Sequence, residues 1–205
     1  GALDAGSITS GFTSIDVGTG TITGASFNGI PFFADSTSMY THNVSATDNS
    51  AARNTAYGFV SLDAITDGDD NVSVGYNAGT ALTTGHSNTI LGSGAGVGSA
   101  EVDSTVIIGK GAGAGVMTSA ADGTVAIGAA AGAALTTGQF NTAVGYQALD
   151  AATTEDKCTA IGYQALASNT TGSYNTANGY QALFSNTTGN FNAANGYRAL
   201  YSNTT

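Results

Sequence analysis

The side chains of this chain best suited to chemistry are two histidines, His42 and His86, one cysteine, Cys158, and fourteen Asp and Glu residues. A Ser-His-Asp or Cys-His site needs a nucleophile, a base within reach and a third group that orients the base. Neither histidine stands in a recognisable nucleophile motif. His86 occupies a turn position that holds Gln139, Ser173 or Asn190 in other copies of a repeat described below. Polar and variable positions of that kind read as exposed surface. Cys158 takes the place of an Asn in its own series and reads as a tolerated small residue. The chain is therefore read as non-enzymatic.

The densest acidic patch is Asp67-Gly68-Asp69-Asp70, with Asp63 nearby. Oxygen-rich loops can hold calcium, which makes Asp67, Asp69 and Asp70 weak candidates for an ion, one that chains could share. Their order is not that of an EF-hand, and solvated turn carboxylates are the simpler reading, so no cofactor is expected. Glu101 with Asp103, and Glu155 with Asp156, are read as turn carboxylates too. Tyr146, Tyr163, Tyr180 and Tyr197 form a regular series. It suits either a platform for host glycans or a self-stacking ladder, and the ladder is preferred. Gln147, Gln164 and Gln181 form a neighbouring amide series that Arg198 ends. Gly92-Ser93-Gly94-Ala95-Gly96 lacks the Lys and the following helix of a phosphate-binding loop. The Asn-x-Ser/Thr matches at Asn43, Asn71, Asn169, Asn186 and Asn203 follow from an Asn- and Thr-rich composition.

Composition excludes whole classes of function. Four cations, Arg53, Lys110, Lys157 and Arg198, leave a net charge of −10, so no phosphate-backbone surface exists and nucleic acid is not an expected partner. No apolar run is long enough for a membrane-spanning helix, and no membrane insertion is expected. The first residues lack the basic and apolar regions of a signal peptide, and the last lie in mid-motif at Ser202-Asn203-Thr204-Thr205. The chain thus reads as a fragment of something longer. One cysteine can form no intramolecular disulfide. Thirty glycines, one proline and 9% charged residues describe neither an ordinary enzyme nor a disordered tail. Large apolar side chains are sparse, so a core must be narrow and built by stacking.

The elements that position these residues come from a repeat. Marker glycines stand at Gly58, Gly75, Gly92, Gly109, Gly128, Gly145, Gly162, Gly179 and Gly196. Successive gaps are 17 residues except one of 19, between Gly109 and Gly128. Four residues before the marker comes an Asn column, including Asn54, Asn71, Asn88, Asn141, Asn175 and Asn192. Val, Ile or Leu usually precedes the marker, Ala follows it by three residues, and a second Gly recurs ten residues on. Each unit reads as a short strand, a glycine corner, a second extended stretch and a turn. Such units are too short for helix pairs. They suit a parallel β-solenoid whose coils repeat about every 4.8 Å, giving a rod roughly 40 Å long. Thr142-Ala143-Val144 predicts Thr and Val on one strand face and Ala on the other, with Val and Ile before each marker forming an apolar spine. The Asn column suits amide stacking or turn bonding. The two extra residues are placed in a bulge over 115–123. Residues 1–50 lie outside the register and read as a Gly-, Thr- and Ser-rich β connector or small β domain, with 51–205 as the solenoid domain.

Asn141-Thr-Ala-Val-Gly-Tyr-Gln-Ala-Leu149, with its copies at 158–166, 175–183 and 192–200, resembles two related kinds of sequence. One is the β-roll head repeat of trimeric autotransporter adhesins. The other, which looks closer because Tyr-Gln-Ala-Leu and Ser-Asn-Thr-Thr-Gly accompany the strand, is the tandem repeat of phage tail-fibre and other virion structural proteins. The segment from Leu3 to Phe12, followed by Ser14 to Gly18, also looks like tail fibre. The resemblance implies a homotrimer of left-handed β-rolls, partnered by other fibre segments and by a host-surface glycan or protein. The expected function is a structural shaft of a phage tail fibre, located in the virion and supporting attachment. A bacterial surface adhesin head and a self-assembling extracellular filament, joined end to end, are the alternatives. The repeat length and the Asn at 178 and 195 depart from the adhesin pattern.

Overall fold

The computed structural model describes residues 50–205, together with the backbone of two short strands at 33–34 and 39–40. The strand segments expected between residues 9 and 24, and His42 and Asn43, lie outside the described residues. What is described is all-β, a parallel β-solenoid. Its strands are β1 (Phe33–Ala34), β2 (Met39–Tyr40), β3 (Thr55–Tyr57), β4 (Val72–Val74), β5 (Thr89–Leu91) and β6 (Val106–Ile108). They continue as β7 (Val125–Ile127), β8 (Thr142–Val144), β9 (Thr159–Ile161), β10 (Thr176–Asn178) and β11 (Ala193–Asn195). All lie in one sheet in chain order, β1 antiparallel to β2 and every later pair parallel.

The register follows the sequence repeat. Thr142 faces Thr159, Ala143 faces Ala160 and Val144 faces Ile161. Across the longer interval Val106 faces Val125, and the chain between holds a short 3-10 turn, Ser119–Ala121. Thr118 caps that turn, its hydroxyl accepting the Ala120 N–H at 3.3 Å, inside the segment where the sequence places the extra residues. Met117, from the same segment, is fully buried in the core.

Each of β3–β11 buries only its middle residue, the series Ala56, Ser73, Ile90, Ile107, Ala126, Ala143, Ala160, Ala177 and Ala194. The expected spine of Val and Ile before the marker glycine therefore runs along the outside, where Val74 and Ile161 are exposed. Strand alternation is respected, but the narrow lumen takes the small residue. Core volume is shared out between columns. Coils with inward Ala143, Ala160 or Ala177 add Leu149, Leu166 or Leu183, whereas those with Ile90 or Ile107 have Gly96 or Gly113 at that place. A β-carbon on Gly79 would lie 2.9 Å from Ile90 Cδ1 and 3.2 Å from Leu62 Cδ2. Close packing leaves room for one or two large side chains per coil, as with Leu62 and Ile65 or Ile107 and Met117.

The stretch after the marker glycine is not the extended segment the sequence predicts. Gln147 and Leu149 have φ of 52° and 54°, left-handed values, and Ala148 and Leu149 are buried consecutively, which a strand cannot do. The same two positions are left-handed in Gln164 and Leu166 and in Gln181 and Leu183. A left-handed L-residue costs roughly 1–2 kcal/mol. Inter-coil hydrogen bonds hold this shape: the Gln147 N–H donates to the Ala129 carbonyl at 3.0 Å and the Leu149 N–H to the Ala165 carbonyl at 3.0 Å. A single coil lacks these bonds and has no reason to adopt the turn.

The marker glycines meet a stricter demand. Gly145 has φ of 136°, and a β-carbon there would lie 2.6 Å from the carbonyl carbon of Gly162. Gly94 has φ of 67° but nothing within 4 Å of the equivalent position. Gly145→Ala is expected to destabilise the chain by about 3–5 kcal/mol, through overpacking and backbone strain together. Gly94→Ala is expected to cost only about 1–2 kcal/mol. Urea unfolding of the two variants against the parent checks the difference, and equal losses would contradict the close-approach account.

Candidate functional site

The polar side chains singled out in the sequence form ladders that run from coil to coil. In the Asn column, Asn71 accepts both the N–H and the side-chain amide of Asn88 on its Oδ1, at 3.0 and 2.9 Å. Its own amide nitrogen donates to the Gly85 carbonyl at 2.8 Å and to Asn54 Oδ1 at 3.1 Å. Asn141 Nδ2 reaches the Glu155 carbonyl at 2.7 Å and Asn175 Nδ2 reaches the Gly189 carbonyl at 2.6 Å. Asn192 donates its N–H to Asn175 Oδ1 at 2.9 Å. Both amide stacking and backbone bonding are thus present, in buried positions where an unpaired amide is costly. Cys158 imitates the Asn: its N–H donates to Asn141 Oδ1 at 2.9 Å and its thiol to the Gly172 carbonyl at 3.2 Å. Burial pushes the Cys158 thiol up to about 11, with the nearby carboxyls of Glu155 and Asp156 acting in the same direction. That is the state of an inert structural cysteine.

A second Asn ladder was not legible as such. Asn169 and Asn186 are fully buried, and Asn186 Nδ2 donates to Asn169 Oδ1 at 2.8 Å. Asn203 Nδ2 extends the series to Asn186 Oδ1 at 3.0 Å. These are the asparagines of the Asn-x-Thr matches, and with buried Asn71 they place amide nitrogens inside the rod. The signal in the sequence was their alignment with Ile65, Leu82 and Leu135, the core residues of earlier coils.

The turn column containing His86 also has a defined task. The His86 Nδ1 accepts the Asp69 N–H at 2.9 Å, and the His86 N–H donates to Asp103 Oδ1 at 2.6 Å. Asp103, Gln139, Asp156 and Ser173 donate their N–H groups in the same way to Asp122, Asp156, Ser173 and Asn190. The column needs a short side chain with an acceptor atom, which explains why its identity varies while its polarity does not. His86 therefore carries its proton on Nε2 when neutral.

The acidic candidates are engaged by protein groups. Arg53 donates to both carboxylate oxygens of Asp70, at 2.6 and 2.8 Å, and to Asp69 Oδ2 at 3.3 Å. Asp69 Oδ1 accepts the Ala52 N–H and Asp67 Oδ1 accepts the Ser50 hydroxyl, at 2.7 and 2.6 Å. The Arg53 hydrogen bond holds the Asp70 carboxyl below its ordinary value, and the Arg53 guanidinium is raised in turn. The guanidinium occupies the side of the Asp69–Asp70 pair that a cation would need. Among the described residues no group of three or more His, Cys, Asp or Glu is arranged to hold a metal ion. Glu155 departs from the expected solvated turn carboxylate, because it is 1% exposed.

Tyr146, Tyr163, Tyr180 and Tyr197 stack with ring centroids 5.3, 5.0 and 5.4 Å apart and planes within 16° of parallel. Each inner ring has both faces covered by its neighbours, so the faces on which a sugar would stack are taken and the edges remain. Gln164 Nε2 donates to Gln147 Oε1 and Gln181 Nε2 to Gln164 Oε1, both at 3.0 Å. Arg198 Nε closes the series on Gln181 Oε1 at 3.0 Å, with its guanidinium 4.6 Å from the Tyr201 ring centroid. Two further stacks, Tyr174 with Phe191 and Phe184 with Tyr201, line other corners. The outer face of β3–β10, by contrast, carries no charged side chain, and every described Asp and Glu lies outside the strands.

No protein-family model matches this chain, and neither a curated protein nor a solved structure matches it. No helix among the described residues is long and apolar enough to cross a membrane.

Asn71→Ala is expected to destabilise the chain by at least about 3 kcal/mol, because it strands the Asn88 N–H and the Gly85 carbonyl in a buried place. Thermal and urea melts measure it. A loss below about 1 kcal/mol would mean that water reaches the column.

Proposed function

We propose that this chain is a non-enzymatic shaft segment of a trimeric phage tail fibre, spacing a host-recognition tip from the particle. The observation that carries the reading is the run of coil-to-coil side-chain bonds: Asn54 to Thr105, Asn141 to Cys158, Gln147 to Arg198 and Asn169 to Asn203 each bond to the neighbouring coil. Stiffness follows from this, since bending the rod lengthens hydrogen bonds on one side of every coil at once. Resistance to proteases follows too, because cleavage needs a locally opened segment and each coil is tied to two others.

The charge pattern supports association with other copies. A net charge of −10 opposes self-association, but the strand faces from Val72 to Ile161 are uncharged and carry only Val, Ile, Leu and Thr. Three chains meeting on that face keep their acidic turns apart. The threefold number, the left-handed coil and the place in a virion rest on the sequence resemblance around Asn141–Leu149. The exposed corner of Phe140, Tyr174 and Phe191 favours the second reading, a bacterial adhesin head that binds a host protein or glycan directly.

Light scattering on the purified chain tests the assembly. Three chain masses at all concentrations are expected. A stable single chain would overturn the trimer, and polymers that grow with concentration would favour a filament.

A further inference from the structure

The sequence breaks three of its own columns between Ala152 and Cys158, as it does between Ser99 and Thr105. Ala152 stands where Leu135 and Asn169 stand in the adjacent coils, Glu155 where they have Gly138 and Gly172, and Cys158 where they have Asn141 and Asn175. All three are buried. The small Ala152 leaves space in the lumen, and the Glu155 side chain is buried at the junction between the leucine-filled coils and the Asn169–Asn186 ladder.

Its carboxyl is served unevenly, with the Asn169 side chain and its own backbone N–H favouring the ionised form only enough to offset part of the burial. Oε2 accepts the N–H groups of Thr153 and Thr154, at 2.8 and 2.7 Å. Oε1 is buried without a hydrogen-bond partner. No cation compensates. Within the coil, Asp156 is acidic and accepts the Gln139 N–H at 2.8 Å, and Asp150 is acidic and itself raised by burial. Lys157 extends away, its ammonium 5.1 Å from the Tyr174 ring centroid. The coil before offers Gly138, Gln139 and Asn141, and the coil after offers Asn169, Gly172 and Tyr174, none of them positively charged. A protonated carboxyl suits this place better than a carboxylate, because burial favours the neutral form. A carboxylate leaves a buried charge with no cation beside it, held only by N–H and amide donors.

We infer that the coil spanning residues 141–157 is a proton-controlled weak point in the rod, closed when Glu155 is protonated and prone to local opening when it is ionised. Burial raises the Glu155 carboxyl above its ordinary value of 4.5. The folded coil therefore binds the proton more tightly than the open one. Stability from this group is fully present below pH 4.5 and is lost as pH rises through the folded value. Opening exposes Cys158, three residues on, which makes the thiol a built-in reporter. The inference concerns the coil alone and holds whatever the rod is used for.

The test measures the rate of Cys158 alkylation by iodoacetamide from pH 4 to 8 in the parent chain and in Glu155→Gln. Each rate is divided by that of the same chain in denaturant, to remove thiolate ionisation. The parent is expected to label at least about tenfold faster than Glu155→Gln at neutral pH, with the two converging in acid. Amide exchange across 150–158 is expected to rise with pH in the parent and not in the variant, while coils around β4 and β5 stay protected. Glu155→Gly, which restores the residue of the neighbouring coils, serves in the same comparison if Glu155→Gln does not fold. Coincident labelling profiles in parent and variant would overturn the inference. Exchange that rises equally in every coil would overturn its local character.

Discussion

At each marker glycine from Gly58 to Gly179 the backbone of one coil comes against the backbone of the next so closely that no β-carbon fits. At Gly58 such a carbon would lie 2.5 Å from the Gly75 carbonyl oxygen, and at Gly109 2.6 Å from the Gly128 carbonyl carbon. A second glycine column makes a close approach on the other side of some coils, where a β-carbon on Gly172 would fall against the Gly189 carbonyl oxygen, although Val102 and Glu155 take the glycine's place in other coils. The marker contacts, joined in several coils by the second, fix the spacing and the rotational phase of the stack. Once phase is fixed, equivalent residues must lie above one another, and each column becomes a ladder.

The ladders in turn support a backbone that would not hold its shape alone. Twenty described non-glycine residues have φ near 49–60°, among them Val60, whose branched side chain disfavours it most. At roughly 1–2 kcal/mol each, this strain is of order 20–40 kcal/mol, larger than the net stability of a typical domain. It is offset only because each left-handed turn aligns its N–H and carbonyl groups with those of the coils beside it. Folding is therefore cooperative along the axis, and breaks such as the coil of Glu155 matter more than their size suggests.

Spacing made the solenoid, its register and its insertion legible, because glycines at fixed intervals report close approach directly. The Gln ladder with Arg198 at its end was legible for the same reason: a polar column at constant spacing has nowhere to bond but along itself. What the spacing did not reveal was the shape within a coil. Tyr-Gln-Ala-Leu alternates as a strand would, and nothing local marks Gln147 and Leu149 as left-handed, since neither is Gly or Asn. That conformation is imposed by hydrogen bonds between coils. Likewise Ala143, not Val144, faces the lumen because the core is too narrow for a branched residue opposite Leu149. Glu155 and the Asn169–Asn186 series were misjudged because polar residues in turn-like sequence read as solvated. Their alignment with core leucines in other coils was the available clue.

Register is the claim on which the rest stands, and a disulfide trap reads it directly. Val144 and Ile161 are paired across β8 and β9 on the outer face, at the separation of neighbouring strands, about 4.8 Å, inside the range a disulfide spans. In a Cys158→Ser background, Val144→Cys with Ile161→Cys should close an intramolecular bond in mild oxidant, whereas Val144→Cys with Ala160→Cys, whose side chains lie on opposite faces, should not. Closure of the second pair and not the first would contradict the seventeen-residue stack.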